Sequence, residues 1–396
     1  MKKGIFFKKL SAFLFVPAMF LMSLCGYYKG ELPDRYYVYT TDKPLVSTVF
    51  PIDIEYESAR QTYGSTNSET CCATMKLLGV FPIKDIEVEA IGERYVIPGG
   101  EPFGIKIMSD GVMVVSISDI EGISPANESG LRVGDIITSI EGNEVSTNSA
   151  LQEIIADSQG QTLAVDVVRN DEELELALTP IFSDEQGQYC AGIWVRDSSA
   201  GIGTMTFYDP QSGAFGGLGH AVCDSDTREI VPLLSGKVTG VEIFNINKSS
   251  KGTPGELCGR FINENICGTI TVNNDCGVFG YLNEFDFNSD LIQLGLKQDI
   301  SIGEAKMLTT IDGDTPCEYD IYIEDINYNS KDGLKSITIR VTDQDILESC
   351  GGIVRGMSGS PIIQNNKLVA AVTHVFVNDP TKGYAVFAET MLDSIG

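Results

Sequence analysis

The run Arg355-Gly356-Met357-Ser358-Gly359-Ser360-Pro361-Ile362-Ile363 carries the sharpest structural signal in the chain. Small residues, serines and a proline separate two apolar runs, residues 351–354 and 362–363, which predicts a tight turn between strands. A serine on such a turn is held out from the backbone. The glycines beside it tolerate φ > 0 and let a substrate carbonyl come close. Main-chain N–H groups around the serine can then face the oxygen that becomes negative during acyl transfer. The plain alternative is a Gly/Ser-rich hairpin that only turns.

Working outward, such a serine needs a base, and the chain has only two histidines, His220 and His374. His220 lies in Gly219-His220-Ala221-Val222-Cys223-Asp224, a turn delivered by a hairpin of residues 205–208 and 214–218. His374 sits in the apolar, β-branched run 370–377, the setting of a satisfied sheet residue. His220 is therefore the favoured general base, since imidazole titrates near the working pH. A carboxylate should fix its tautomer. Asp343 closes the run Ile339-Arg340-Val341-Thr342 shortly before the serine turn, while Asp224, close to His220, suits a turn cap. Aspartates are abundant, and the residues alone leave this choice open. Short strands at regular spacing between residues 237 and 387 suggest a barrel or sandwich, with a helix expected only at 389–395.

Composition bounds the class. The 396 residues suffice for two or three domains, and 43% are hydrophobic, enough for a sizeable core. A formal net charge of −27 leaves no basic face for nucleic acid, which is excluded as a partner. Ten cysteines form no C-x-x-C pair, and the nine-residue steps among Cys258, Cys267 and Cys276 do not fit zinc. Mostly buried thiols are expected, with disulfides as the rival. No phosphate loop appears, and serine chemistry needs no cofactor.

Lys2, Lys3, Lys8 and Lys9 precede an apolar run over residues 10–24, broken by Pro17. This reads as a secretory signal or membrane anchor over residues 1–25. Cys25 invites lipidation, but bulky Leu24 precedes it. Residues 26–98 form an N-terminal region containing strands. Residues 99–182 carry Pro125-Ala126, Gly130-Leu131, Gly134-Asp135-Ile136, Ile140 and Gly142, followed by helical spacing of Leu151, Ile154 and Ile155. This block resembles a PDZ domain. The resemblance implies peptide capture by strand addition, with Pro102, Phe103, Gly104 and Ile105 as the carboxylate-binding loop and the groove between the following strand and the helix at 149–157. A PDZ-shaped domain used only for internal packing is the alternative.

The remainder, residues 183–396, opens on a polar linker at 183–188. Its motifs are Gly219 to Asp224, Lys251-Gly252-Thr253-Pro254-Gly255-Glu256-Leu257, Val341-Thr342-Asp343, Gly351 to Pro361 and Thr373 to Pro380. Jointly these are similar to the SpoIVB peptidase family, the stage IV sporulation protein B serine peptidases. The resemblance implies a mainly β protein: signal or anchor segment, PDZ domain, then a chymotrypsin-like β-barrel serine peptidase. It assigns Ser358 as nucleophile, His220 as base and Asp343 as orienting acid, with the backbone N–H groups of Gly356 and Ser358 as oxyanion donors. Ser360 becomes the runner-up nucleophile. It further implies export across the forespore membrane into the intermembrane space and self-cleavage near the N-terminus. The expected partner is a membrane-bound regulator of an intramembrane protease that processes a late sigma factor, and the chain's own N-terminal segment is the expected PDZ ligand. A PDZ adaptor with an inactive protease-like domain, and a secreted esterase, are the rival readings. The esterase is the weaker, because Ser360 and Pro361 break the G-x-S-x-G pattern.

Overall fold

Alternating apolar and polar residues dominate the chain beyond residue 70, and a computed structural model of the protein turns them into sheet. It describes residues 2–39, 50–56, 70–170, 172–283, 290–330 and 333–394. Helix α1 (Lys2–Glu31) leads into strands β1 (Arg35–Tyr39), β2 (Ile52–Tyr56), β3 (Thr70–Leu77) and β4 (Phe81–Ile91), which form one sheet in the order β1-β4-β3-β2. Tyr28 and Leu32 pack with Tyr36, Met75, Leu77 and Val88 in its core. Among the described residues no helix is long and apolar enough to cross a membrane. None of the ten cysteines is paired with another, and only Cys350 is buried. The expectation of mostly buried thiols fails because positions such as Cys25, Cys267 and Cys276 only border the cores.

Strands β5 (Tyr95–Pro98) and β6 (Pro102–Ile117) follow, then helix α2 (Pro125–Ser129), β7 (Ile136–Ile140), β8 (Asn143–Glu144), helix α3 (Asn148–Asp157), β9 (Leu163–Arg169) and β10 (Glu172–Leu178). Pro125 starts α2 and Gly130, at φ 87°, ends it in the left-handed region. Thr147 caps α3 by accepting from the Ala150 N–H. Leu151 and Ile155 of α3 pack on Val112, Val114, Ile137, Ile140, Val165 and Val167. Buried Asp135 holds Arg169 at 2.6 Å and also accepts from the Arg132 N–H, so its charge is fully partnered. This is the architecture expected of a PDZ domain.

The expected linker at 183–188 is instead a hairpin, β11 (Ile181–Ser183) with β12 (Gln188–Cys190). After it come β13 (Ile193–Tyr208), β14 (Ala214–Gly217), β15 (Leu233–Asn247), β16 (Glu256–Asn274) and β17 (Gly277–Leu282). Ladders run β6–β13–β14–β17–β16–β15 and return to β6, closing a first barrel around Phe103, Ile105, Phe215, Val238 and Val278. The last elements are β18 (Ile292–Leu294), β19 (Gly303–Thr309), β20 (Cys317–Ile326), β21 (Ile337–Val341), helix α4 (Gln344–Ser349), β22 (Pro361–Gln364), β23 (Lys367–Val375), β24 (Lys382–Phe387) and helix α5 (Ala388–Asp393). Ladders β23–β24–β21–β20–β19–β22 return to β23 and close a second barrel around Met307, Ile321, Ile339, Ile362 and Val372. Phe207, Phe279, Leu368, Ala371 and Met391 form the seam between the two.

The sheet crosses the expected boundaries at residues 99 and 182. The first half of β6 is a first-barrel strand and its second half belongs to the PDZ core. β13 does the reverse, with Ile193 and Val195 packed on the PDZ core before its later residues enter the barrel. The PDZ domain is thus inserted into the first barrel. Closing a barrel needs a partner for every strand edge, and β6 supplies one from the far side of the insertion.

Candidate active site

The serine turn lies where the two barrels meet, and both hold it. From the first barrel, the Thr204 N–H donates to the Ser358 carbonyl at 2.9 Å. The Thr204 hydroxyl donates to the Gly356 carbonyl and the Thr206 hydroxyl to the Gly359 carbonyl, each at 2.7 Å. Residues two apart on a strand face the same side, so one β-branched pair of β13 serves both ends of the turn. From the second barrel, the Val372 carbonyl accepts from the Gly359 N–H and the Val372 N–H donates to Ser360. Gly356 and Gly359 adopt φ of 98° and 96°, and a Cβ on Gly359 would stand 2.0 Å from the Thr204 carbonyl oxygen. The turn therefore requires glycine there.

Ser358 is half-buried and its hydroxyl donates to the Thr373 carbonyl at 2.8 Å. The N–H groups of Gly356 and Ser358 have no hydrogen-bond partner among the described residues. Ser360 is fully buried and its hydroxyl is unpartnered, which removes the runner-up nucleophile from reach of any substrate. Gly219 abuts this turn: a Cβ there would lie 3.0 Å from the Val372 carbonyl oxygen and 3.8 Å from the Gly359 nitrogen. His220 follows directly. Its ring lies 5.2 Å from that of His374, at an angle of 34°. His220 Nδ1 donates to the Ala221 carbonyl at 2.8 Å, which leaves Nε2 as the ring's acceptor. Burial lowers the pKa of His220, and the Ala221 carbonyl only partly opposes that shift.

Asp343, the expected orienting acid, makes a different set of contacts. It caps the N-terminus of α4, accepting from the Asp345 and Ile346 N–H groups at 2.9 and 3.3 Å, and from Asp320 N–H at 3.3 Å. No hydrogen bond joins it to His220, whose Nδ1 is already used by a main-chain carbonyl. α4, which the sequence did not suggest, carries the chain into the serine turn through Cys350 and Gly351 N–H bonds to Ile346 and Leu347. Asp224 is the turn cap the sequence allowed: it accepts from the Asp226 and Thr227 N–H groups and pairs with Arg196.

Pro102, Phe103, Gly104 and Ile105 do not form an open carboxylate-binding loop. They open β6, with Pro102 paired to β13 and Phe103 to Ile105 held between β13 and β15, so they lie in barrel ladders. The groove against α3 is bounded instead by the segment Tyr189 to Trp194, where a cavity of about 290 Å3 also touches Leu151 and Ile155. Ala191 and Gly192 offer N–H groups without a partner among the described residues. Gly192 has φ 71°, and a Cβ on it would meet the Ser118 carbonyl at 2.2 Å. Sequence reading missed this segment because the PDZ resemblance placed the loop at residues 102–105; the small pair Ala191-Gly192 before the apolar run Ile193-Trp194-Val195 is the signal that could have found it. A second cavity, of about 260 Å3, lies beside the serine turn, lined by Ala200, Ile202, Leu257, Phe261, Arg355 and Gly356 among others.

Two barrels with a serine turn and a histidine at their junction define a serine peptidase, here with an inserted PDZ domain. A family model described as SpoIVB peptidase S55 matches residues 187–392, more than half of the chain, and a PDZ domain model matches residues 90–179. The chain belongs to the SpoIVB peptidase S55 family, a family of serine proteases. Among solved structures, the PDZ domain of an SdrC-like protein from Listeria monocytogenes is 26% identical, over 23% of this chain and 93% of that one, with a TM-score of 0.20.

Proposed function

We propose that this serine peptidase is an endopeptidase of sporulation signalling in which Ser358 is the nucleophile and His220 the general base. One observation carries the reading: Ser358 stands beside two unspent N–H groups, its own and that of Gly356, on a turn braced by both barrels. The Ser358 hydroxyl turns from the Thr373 carbonyl and attacks the scissile carbonyl carbon. His220 Nε2 takes the hydroxyl proton and returns it to the leaving amine. The two N–H groups receive the oxygen as it becomes negative. The Ala221 carbonyl, in place of a carboxylate, holds the imidazole in the required tautomer. Asp343 serves the site at one remove, by capping the helix that leads into the turn.

The setting is the one the family resemblance implies. The chain is exported across the forespore membrane with residues 1–25 as signal or anchor. It cleaves itself near its N-terminus and cleaves a membrane-bound regulator of an intramembrane protease, which activates a late sigma factor. Peptide recognition by the PDZ domain supports such a role.

The test is expression of the chain with and without Ser358→Ala, read by intact mass and by labelling with a fluorophosphonate. Loss of an N-terminal piece and labelling at Ser358 are expected in the wild type alone. Wild-type protein that is neither trimmed nor labelled would overturn the assignment.

A further inference from the structure

Strand β13 uses only one of its edges over most of its length. That edge pairs with β6 from residue 193 to residue 204, whereas β14 and β5 begin their pairing with β13 only at Met205 and Phe207. Among the described residues, no strand pairs with the opposite edge over residues 193–203. Alternation identifies the groups on that edge. The N–H and carbonyl of Thr204 face Ser358 and Leu218, away from β6, while those of Met205 face Glu101 and Gly100. Main-chain groups of an extended strand alternate sides, so Ile202 and Ala200 present theirs on the side of Ser358. Gly201 is exposed, and a Cβ on it would meet nothing within 4 Å.

Each end of this edge opens into a cavity with unspent N–H groups. At one end the cavity along residues 200–202 reaches Gly356. At the other lies the cavity beneath α3, with Ala191 and Gly192. From this we infer that a polypeptide substrate is bound as an added strand along the free edge of β13, its C-terminal end beneath α3 and its scissile bond at Ser358. The inference rests on Ser358 as nucleophile and gives that site its substrate geometry.

The direction follows from the strand. Every partner of β13 is antiparallel to it. A chain antiparallel to β13 passes the serine turn first and then runs toward Gly192, so its C-terminus is the end that reaches α3. Two adjacent main-chain N–H groups suit a terminal carboxylate there. Asp119, Glu121 and Glu185 line that cavity and no Lys or Arg does, which favours an apolar tail flanked by basic side chains. Strand pairing runs residue for residue, so the separation of Gly192 and Thr204 sets the cut about twelve residues from the substrate's C-terminus.

The experiment uses the full chain and a library of unstructured synthetic peptides, each long enough to span the edge twice, with free or amidated C-termini. Mass spectrometry should find cuts clustered about twelve residues from free C-termini, and amidation should disperse them. Ala200→Pro removes an N–H from the free edge and none from the β6 ladder. It should slow peptide cleavage roughly tenfold, as expected for lost strand hydrogen bonds, while fluorophosphonate labelling of Ser358 persists. Cuts at no fixed distance, or wild-type cleavage by the Ala200→Pro variant, would overturn the inference. Wild-type protein that does not label would instead overturn the nucleophile reading beneath it.

Discussion

At the scale of single residues, the site is governed by which polar groups are already spent. His220 is kept neutral by burial, so the acid limb of the pH–rate profile should fall below the ordinary imidazole value of about 6.5. The same depressed pKa has a stability consequence. The unfolded chain binds a proton at this histidine more readily, so stability falls as pH drops from about 6.5 toward the lower folded value. Urea melts of wild type and His220→Gln across that window should show the wild type losing more. Asp343 gives a sharper test. As an N-cap, its replacement by Asn should be nearly silent, and Asp343→Ala should cost about 1 kcal/mol of stability with a partial loss of activity. Asp343→Asn with intact stability but activity down by orders of magnitude would restore it as the acid that orients His220. Thr204→Val leaves the half-buried Gly356 carbonyl without its donor and should slow fluorophosphonate labelling, with Thr204→Ser recovering most of the rate.

At the scale of elements, the serine turn and the Gly192 segment both depend on positive φ. Gly359→Ala combines an unfavourable φ with a Cβ placed on the Thr204 carbonyl. It should lower stability by more than about 2 kcal/mol and abolish labelling, as read by thermal melts and fluorophosphonate reaction. The strands themselves were largely legible, because period-two patterning marks them whatever their partners are. The hairpin delivering His220 appears where that pattern puts it, at the end of β13 and in β14. The short helix α4 was not legible. It is one turn and a half long, and its only buried residue is Ile346, so it has too few apolar positions to show a helical period.

At the scale of the whole molecule, the insertion of the PDZ domain changes what a deletion can test. Removing residues 99–180 takes away β6, and with it a wall of the first barrel, so that variant should fail to fold as a peptidase. Met108 and Ser198 are cross-strand partners. A short turn joining them should remove the insertion and keep both barrels closed. Circular dichroism and fluorophosphonate labelling would separate the two deletions: folded, labelled protein is expected only from the second. Equal labelling of both would show that the first barrel does not need β6.

The sequence by itself determined the classes of part and the chemistry at their tips. Turn residues and a scarcity of histidine marked the serine turn and favoured His220, and the family resemblance chose Ser358 over Ser360 within that turn. Tertiary structure alone decided the partners. Residues 102–105 read as a loop before a strand, and only their pairing with β13 and β15 shows that they are part of a barrel strand. Asp343 read from sequence as a candidate acid, and only the folded chain shows it capping α4. Local patterning records what a residue can do. Which residue it meets depends on long-range strand pairing, which leaves no local mark.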